Sequence, residues 1–190
     1  MSKDGIRKWT VLEREELLSC RVFSVHRRRS RSESTGRTDD FFVLESPDWV
    51  NVIALTRGGE VVLVEQYRHG TDVVTLELPG GMIDPGDGGP VPAGVRELRE
   101  ETGFTGVRPR LIGTVHPNPS IQTNLCHTLL LEEAERTSET SFDPNEELAT
   151  RIIPLVDIPD LVRSGAIVHS LVVAAFHHLE LRRPEPPGQG

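Results

Sequence analysis

Residues 77–104 read ELPGGMIDPGDGGPVPAGVRELREETGF, a glycine- and proline-rich loop that runs straight into a segment dense in glutamate. Proline suits a first helical turn and glycine the position past the end, so the pattern predicts a helix from about Pro92 to Gly103. Residues three and four apart share a helix face, which makes Glu97 a neighbour of both Glu100 and Glu101. Adjacent carboxylates repel unless something positive sits among them. Arg96 and Arg99 would balance them on a solvated face; a metal ion is the other resolution. Carboxylate and carbonyl oxygens are the hard ligands that suit Mg²⁺ or Mn²⁺, and a loop built on Gly80 and Gly81 brings a carbonyl close. Arg96 can pair with Glu100 at i, i+4 or reach back to Asp87 and fix the loop. Val95 and Leu98 would anchor the opposite face in the core.

On either side of this stretch the chain reads mainly as strands. KWTVLEREEL (8–17), CRVFSVHRR (20–28) and DDFFVLES (39–46) are short mixed runs, with a hairpin tip at Ser32–Asp40. The basic run His26–Arg31 reads as a solvated strand face or as a phosphate-attracting rim. Two apolar runs within 50–68 flank Arg57-Gly58-Gly59, a hairpin turn, and DVVTLELP (72–79) follows as another strand. After the helix, strands return at 107–116, 124–135 and 149–155, the last two separated by a loop, RTSETSFDPNEEL. A short helix near Asp157–Ser164 and a longer apolar one from His169 precede a tail, 183–190, expected to be disordered. Many strands, one central helix, more strands and then helices give an α+β class, not a regular βαβ alternation.

Composition bounds the function. At 190 residues with 36% hydrophobic and 26% charged residues, the chain can build one core. A net charge of -8 argues against a nucleic-acid backbone as partner, although metal ions can bring an anionic substrate to an acidic enzyme. No apolar run approaches the roughly 18–20 residues that cross a bilayer, and the start has no secretory h-region. Cys20 and Cys126 each fall in a strand-like run. Both are expected to be reduced and packed, in a cytoplasmic protein.

The central stretch resembles the Nudix box, G-x5-E-x7-R-E-U-x-E-E-x-G-U with U aliphatic or aromatic. Gly81 is the leading glycine, and RELREETGF (96–104) fits every fixed position of the second half. Asp87 stands where the pattern has glutamate, and eight residues instead of seven separate it from Arg96. VNVIAL, VVLVEQYRHG, LELPGG, HPNPSIQTN and DPNEEL extend the resemblance to ADP-ribose pyrophosphatases and nucleoside diphosphate sugar hydrolases. It implies an α/β/α sandwich around a mixed sheet over 46–182. It also implies an N-terminal antiparallel strand region, 1–45, that builds a homodimer.

The chemistry implied is hydrolysis of a diphosphate linked to another moiety, with two or three Mg²⁺ or Mn²⁺ ions. The resemblance gives Glu97, Glu100, Glu101 and the Gly80 carbonyl as metal ligands. Arg96 would orient the glutamates, and Glu146 in DPNEEL would serve as base or further ligand, with Glu147 its rival. Glu101 counts among the catalytic groups too. Arg68, Trp49 and Asn118 are candidates for substrate contact. His116 shares the turn of Asn118, and His177 and His178 read as structural. The alternative is a non-catalytic nucleotide-sugar sensor on the same fold. Such sensors often lose box glutamates, and RELREE keeps all three.

Overall fold

The computed structural model describes residues 6–142 and 147–182. They fall into two units, the first comprising residues up to Pro47 together with His116–Asn124, the second the remainder.

In the first unit, β1 (Trp9–Ser19), β2 (Ser24–Ser32) and β3 (Thr38–Glu45) form an antiparallel sheet in that order. Alternation along β2 buries His26, Ser30 and Ser32. The basic run is therefore not one solvated face. Arg27 pairs with Glu15 at 2.7 Å, Arg28 pairs with Glu45, and both act as cross-strand links. Trp9 meets Phe41 edge-on at 5.1 Å. Leu44 takes its N–H to the Ile121 carbonyl at 2.7 Å, which ties the loop 116–124 to β3. Cys20 departs from expectation. It is exposed, outside the strands, and its Sγ points back to the Phe23 carbonyl of the same turn, whereas Cys126 is buried.

In the second unit two sheets share the core. One runs β10 (Leu148–Pro154), β5 (Glu60–Arg68), β6 (Val73–Glu77). The other runs β7 (Gly80–Met82), β4 (Trp49–Ala54), β9 (Cys126–Arg136), β8 (Phe104–Val115). It is mixed: β4 pairs parallel with β9 and antiparallel with β7. The turn expected at Arg57-Gly58-Gly59 forms, with the Thr56 N–H on the Glu60 carbonyl at 2.9 Å, but the pairing between β4 and β5 beyond it is one bridge, Leu55–Val61. Each strand already has partners on both sides, so the two diverge into different sheets.

The helices are α1 (Pro90–Thr102), α2 (Ile158–Ser164) after a 3-10 turn, and α3 (Ser170–Glu180). Val50 and Val52 pack with Ala93 and Leu98 of α1, while Ile53 packs with Val172, Ala175 and Leu179 of α3. The β4 sheet is thus covered on both faces. Gly94 sets the approach of α1, since a Cβ there would stand 2.7 Å from the Leu129 side chain. Among the described residues no helix is long and apolar enough to cross a membrane.

Candidate active site

The glutamate helix starts two residues before the expected Pro92 and ends at Gly103, which adopts φ 73° and returns its N–H to the Arg99 carbonyl. Leu98 is fully buried, and Val95 packs beside it against the same core; Glu97 and Glu100 point away from it, while Glu101, three residues past Leu98, is itself buried. The loop ahead of the helix is fixed by one arginine. Arg96 Nε and Nη2 reach the two oxygens of Asp87 at 2.8 and 3.0 Å. Its Nη1 lies 2.9 Å from Glu100 and 3.0 Å from Glu97. Both partners expected for Arg96 are thus engaged at once. The hydrogen bond to Asp87 is the main cause holding the guanidinium pKa above its ordinary value, and the same bond depresses the Asp87 carboxyl. Asp87, the residue that departs from the usual box, also accepts the Asp84 N–H at 2.8 Å and closes the loop.

Glu101 is 4% exposed and accepts the Gly80 N–H at 2.9 Å. Gly80 has φ 154°, and a Cβ there would lie 2.0 Å from the Val50 carbonyl, so no side chain fits. Gly81 is less tight: a Cβ there would meet Glu97 Oε1 at 2.7 Å. Two box carboxylates therefore lie directly against the glycine backbone. Glu100 is the most open of the three glutamates, with its side chain 44% exposed.

Among the described residues no three His, Cys, Asp or Glu side chains stand grouped as a preformed metal cage. The donor set still fits a hard divalent cation, because it offers only oxygens, beside a glycine whose missing Cβ leaves room for the Glu97 carboxylate.

The remaining candidates lie on other elements. Arg68 ends β5 and forms a two-point fork on Glu77, Nε to Oε1 at 2.8 Å and Nη2 to Oε2 at 2.7 Å. Trp49 is half-buried and pairs with Met82 in register, one step from Gly81. Val50 faces α1, so alternation puts Trp49 on the other face of the sheet. Asn118 is exposed in the first unit, where its carbonyl accepts the N–H groups of Ile121 and Gln122. His178 is packed where a Cβ on Gly113 would clash with its ring. Glu146 lies outside the described residues; Glu147, just inside them, is exposed.

Glu77 was not singled out by the sequence reading. It is 3% exposed. Burial pushes its carboxyl up, but the Arg68 fork and the Thr75 hydroxyl, 2.5 Å away, hold it below the ordinary carboxylate range. A charged residue in the apolar strand run VVTLEL was its one sequence signal.

Comparison with known proteins gives the family and the fold. The family model described as NUDIX domain matches residues 46–176. An ADP-ribose pyrophosphatase of Bacillus subtilis (strain 168) is 27% identical over 148 residues, 77% of this chain and 80% of that protein. A GDP-mannose pyrophosphatase of Cronobacter sakazakii is 28% identical over 130 residues, covering 64% of this chain and 67% of its own. A solved structure, titled as an ADP compounds hydrolase, superposes with TM-score 0.82 over 94% of this chain and 96% of that one, at 22% identity. At that identity the likeness is one of fold.

Proposed function

The chain belongs to the NUDIX-domain family, and on that premise we propose that it hydrolyses the diphosphate bond of a nucleoside diphosphate sugar of the ADP-ribose kind. The products are a nucleoside monophosphate and a sugar phosphate. The observation that carries the reading is the junction of Glu97 and Glu101 with the Gly80–Gly81 backbone. The names of the Bacillus and Cronobacter relatives support the substrate class.

Glu97, Glu100, Glu101 and the Gly80 carbonyl would hold two or three Mg²⁺ or Mn²⁺ ions. When bound, such ions neutralise the diphosphate and activate water. The chain's own groups have separate tasks. Arg96 keeps Glu97 and Glu100 in place and ties the loop through Asp87. Arg68 offers a guanidinium suited to a phosphate oxygen. A water oxygen attacks one phosphorus, the bridging P–O bond breaks, and the departing phosphate keeps its electron pair. The water's proton passes to a carboxylate, assigned to Glu146. Glu146→Gln should lower kcat by about 10²–10⁴-fold, and Glu147→Gln by less. The reading includes a homodimer and a cytoplasmic location, the latter resting on the free thiols of Cys20 and Cys126.

The test is a panel of nucleoside diphosphate sugars with Mg²⁺ or Mn²⁺, products separated by chromatography. Paired monophosphate products support the reading. Binding without turnover across the panel would replace it with the sensor.

A further inference from the structure

Glu77 and Arg68 are nine residues apart in sequence, yet register makes their meeting unexpected. Arg68 pairs with Val73 across β5 and β6, Gln66 with Thr75, and Val64 with Glu77. The guanidinium therefore does not extend from the strand end beside its own Cα. It folds back along the sheet to meet the Glu77 carboxylate beside the Thr75 hydroxyl. The fork holding it there uses both Glu77 oxygens, at 2.8 and 2.7 Å. Paired N–H donors on paired oxygens fix the plane of the guanidinium as well as its place.

Period-2 alternation fixes the face. Arg68, Gln66 and Val64 share a side with Val62, and Val62 packs in the cluster that contains Leu98 of α1. Folding back moves the guanidinium from the strand end toward the part of β5 that meets the glutamate helix. Glu77 is itself held from other directions. The Thr75 hydroxyl donates to it at 2.5 Å, and His169 Nε2 stands 3.9 Å away. His169 caps α3, its Nδ1 accepting the Leu171 N–H at 3.2 Å, which leaves Nε2 on the side of Glu77. The carboxylate is buried, with its side chain 4% exposed, while that of Arg68 is 42% exposed. A fixed anion below and a half-exposed cation above make a mount for the cation.

We propose that Glu77 is a positioning residue, which aims Arg68 at the substrate diphosphate. This rests on the reading of Arg68 as a phosphate contact. A contact made equally in ground and transition states affects KM more than kcat. Glu77→Gln should therefore raise KM about 10-fold for the nucleoside diphosphate sugar that the wild type cuts best, with kcat changed by no more than about 3-fold. Arg68→Ala should do the same. The double variant should be no worse than Arg68→Ala, since Glu77 acts only through the arginine. Arg68→Lys keeps the charge but cannot form the fork, and should resemble Arg68→Ala.

Circular dichroism and thermal unfolding establish that each variant is folded. Additive effects, an unchanged KM in Glu77→Gln, or a wild-type KM in Arg68→Lys would overturn the proposal. So would Glu77→Gln failing to fold while Arg68→Ala folds and binds normally, because Glu77 would then be a structural anion. A wild type inert toward the whole panel would remove the functional reading itself, and this inference with it.

Discussion

Glu101 Oε2 accepts the backbone N–H of Gly80 at 2.9 Å, and the carboxylate that does so is 4% exposed. A glutamine at 101 would keep a carbonyl oxygen for that N–H while losing the charge. Glu101→Gln should therefore fold and unfold like the wild type but lose about 100-fold or more in kcat. Glu101→Ala should lose activity and stability together. Near-normal turnover in Glu101→Gln would reduce its role to holding the loop.

Metal binding should be visible without any turnover. A ligand bound only by the folded protein stabilises it, by about 2.7 kcal/mol at 100 times its Kd. For a chain of this size that corresponds to several degrees in Tm, at about 2–4 °C per kcal/mol. Mg²⁺ or Mn²⁺ should raise Tm, and EDTA should reverse the rise and abolish hydrolysis. Glu97→Gln, altering the carboxylate against Gly81, should shrink the shift. An unchanged Tm at millimolar Mg²⁺, with full activity in EDTA, would refute the ligand set.

Much of this site was legible because a helix brings together residues close in sequence. The spacing of Glu97, Glu100 and Glu101, the reach of Arg96 to Asp87, and the stop at Gly103 are local facts. What was missed depends on strand pairing. The Arg68–Glu77 fork needs the β5–β6 register, and the divergence of β4 from β5 needs to know that each strand has other partners. Gly94 reads as an ordinary, slightly unfavourable helix residue until the Leu129 side chain is set 2.7 Å from its missing Cβ. Cys20 was misplaced because an apolar neighbourhood in sequence does not distinguish a strand from the turn after it.

Asp87 offers a test by pH. Its carboxyl is depressed below the ordinary value of 3.8, first by its hydrogen bond to Arg96. A group with a lowered folded pKa binds fewer protons folded than unfolded. Its contribution to stability is complete above the unfolded pKa and is lost as pH falls through the folded one. The wild type should therefore be more stable than Asp87→Asn at pH 7, and the gap should close as pH drops below about 4. Melting curves across pH 3 to 7 read this directly. Parallel curves for the two proteins would show that the Arg96–Asp87 pair does not hold the loop through charge.

The homodimer is tested on the first unit. Every residue of β1 is exposed, including Trp9, Val11, Leu12, Leu17 and Leu18, and Phe42 of β3 is 58% exposed. Large apolar side chains gathered on one small sheet are the usual mark of a surface that another protein covers. A second copy of the chain would cover the apolar side chains that β1 and β3 leave exposed among the described residues. Light scattering should give about twice the chain mass of 21.1 kDa at micromolar concentration. Substitutions at exposed positions cost a protomer little, usually within about 0.5 kcal/mol. Phe42→Asp and Leu18→Arg should thus leave the folded chain intact while shifting it toward monomer. A wild type of 21.1 kDa under these conditions would reject the dimer. A dimer indifferent to both substitutions would place the interface on another surface.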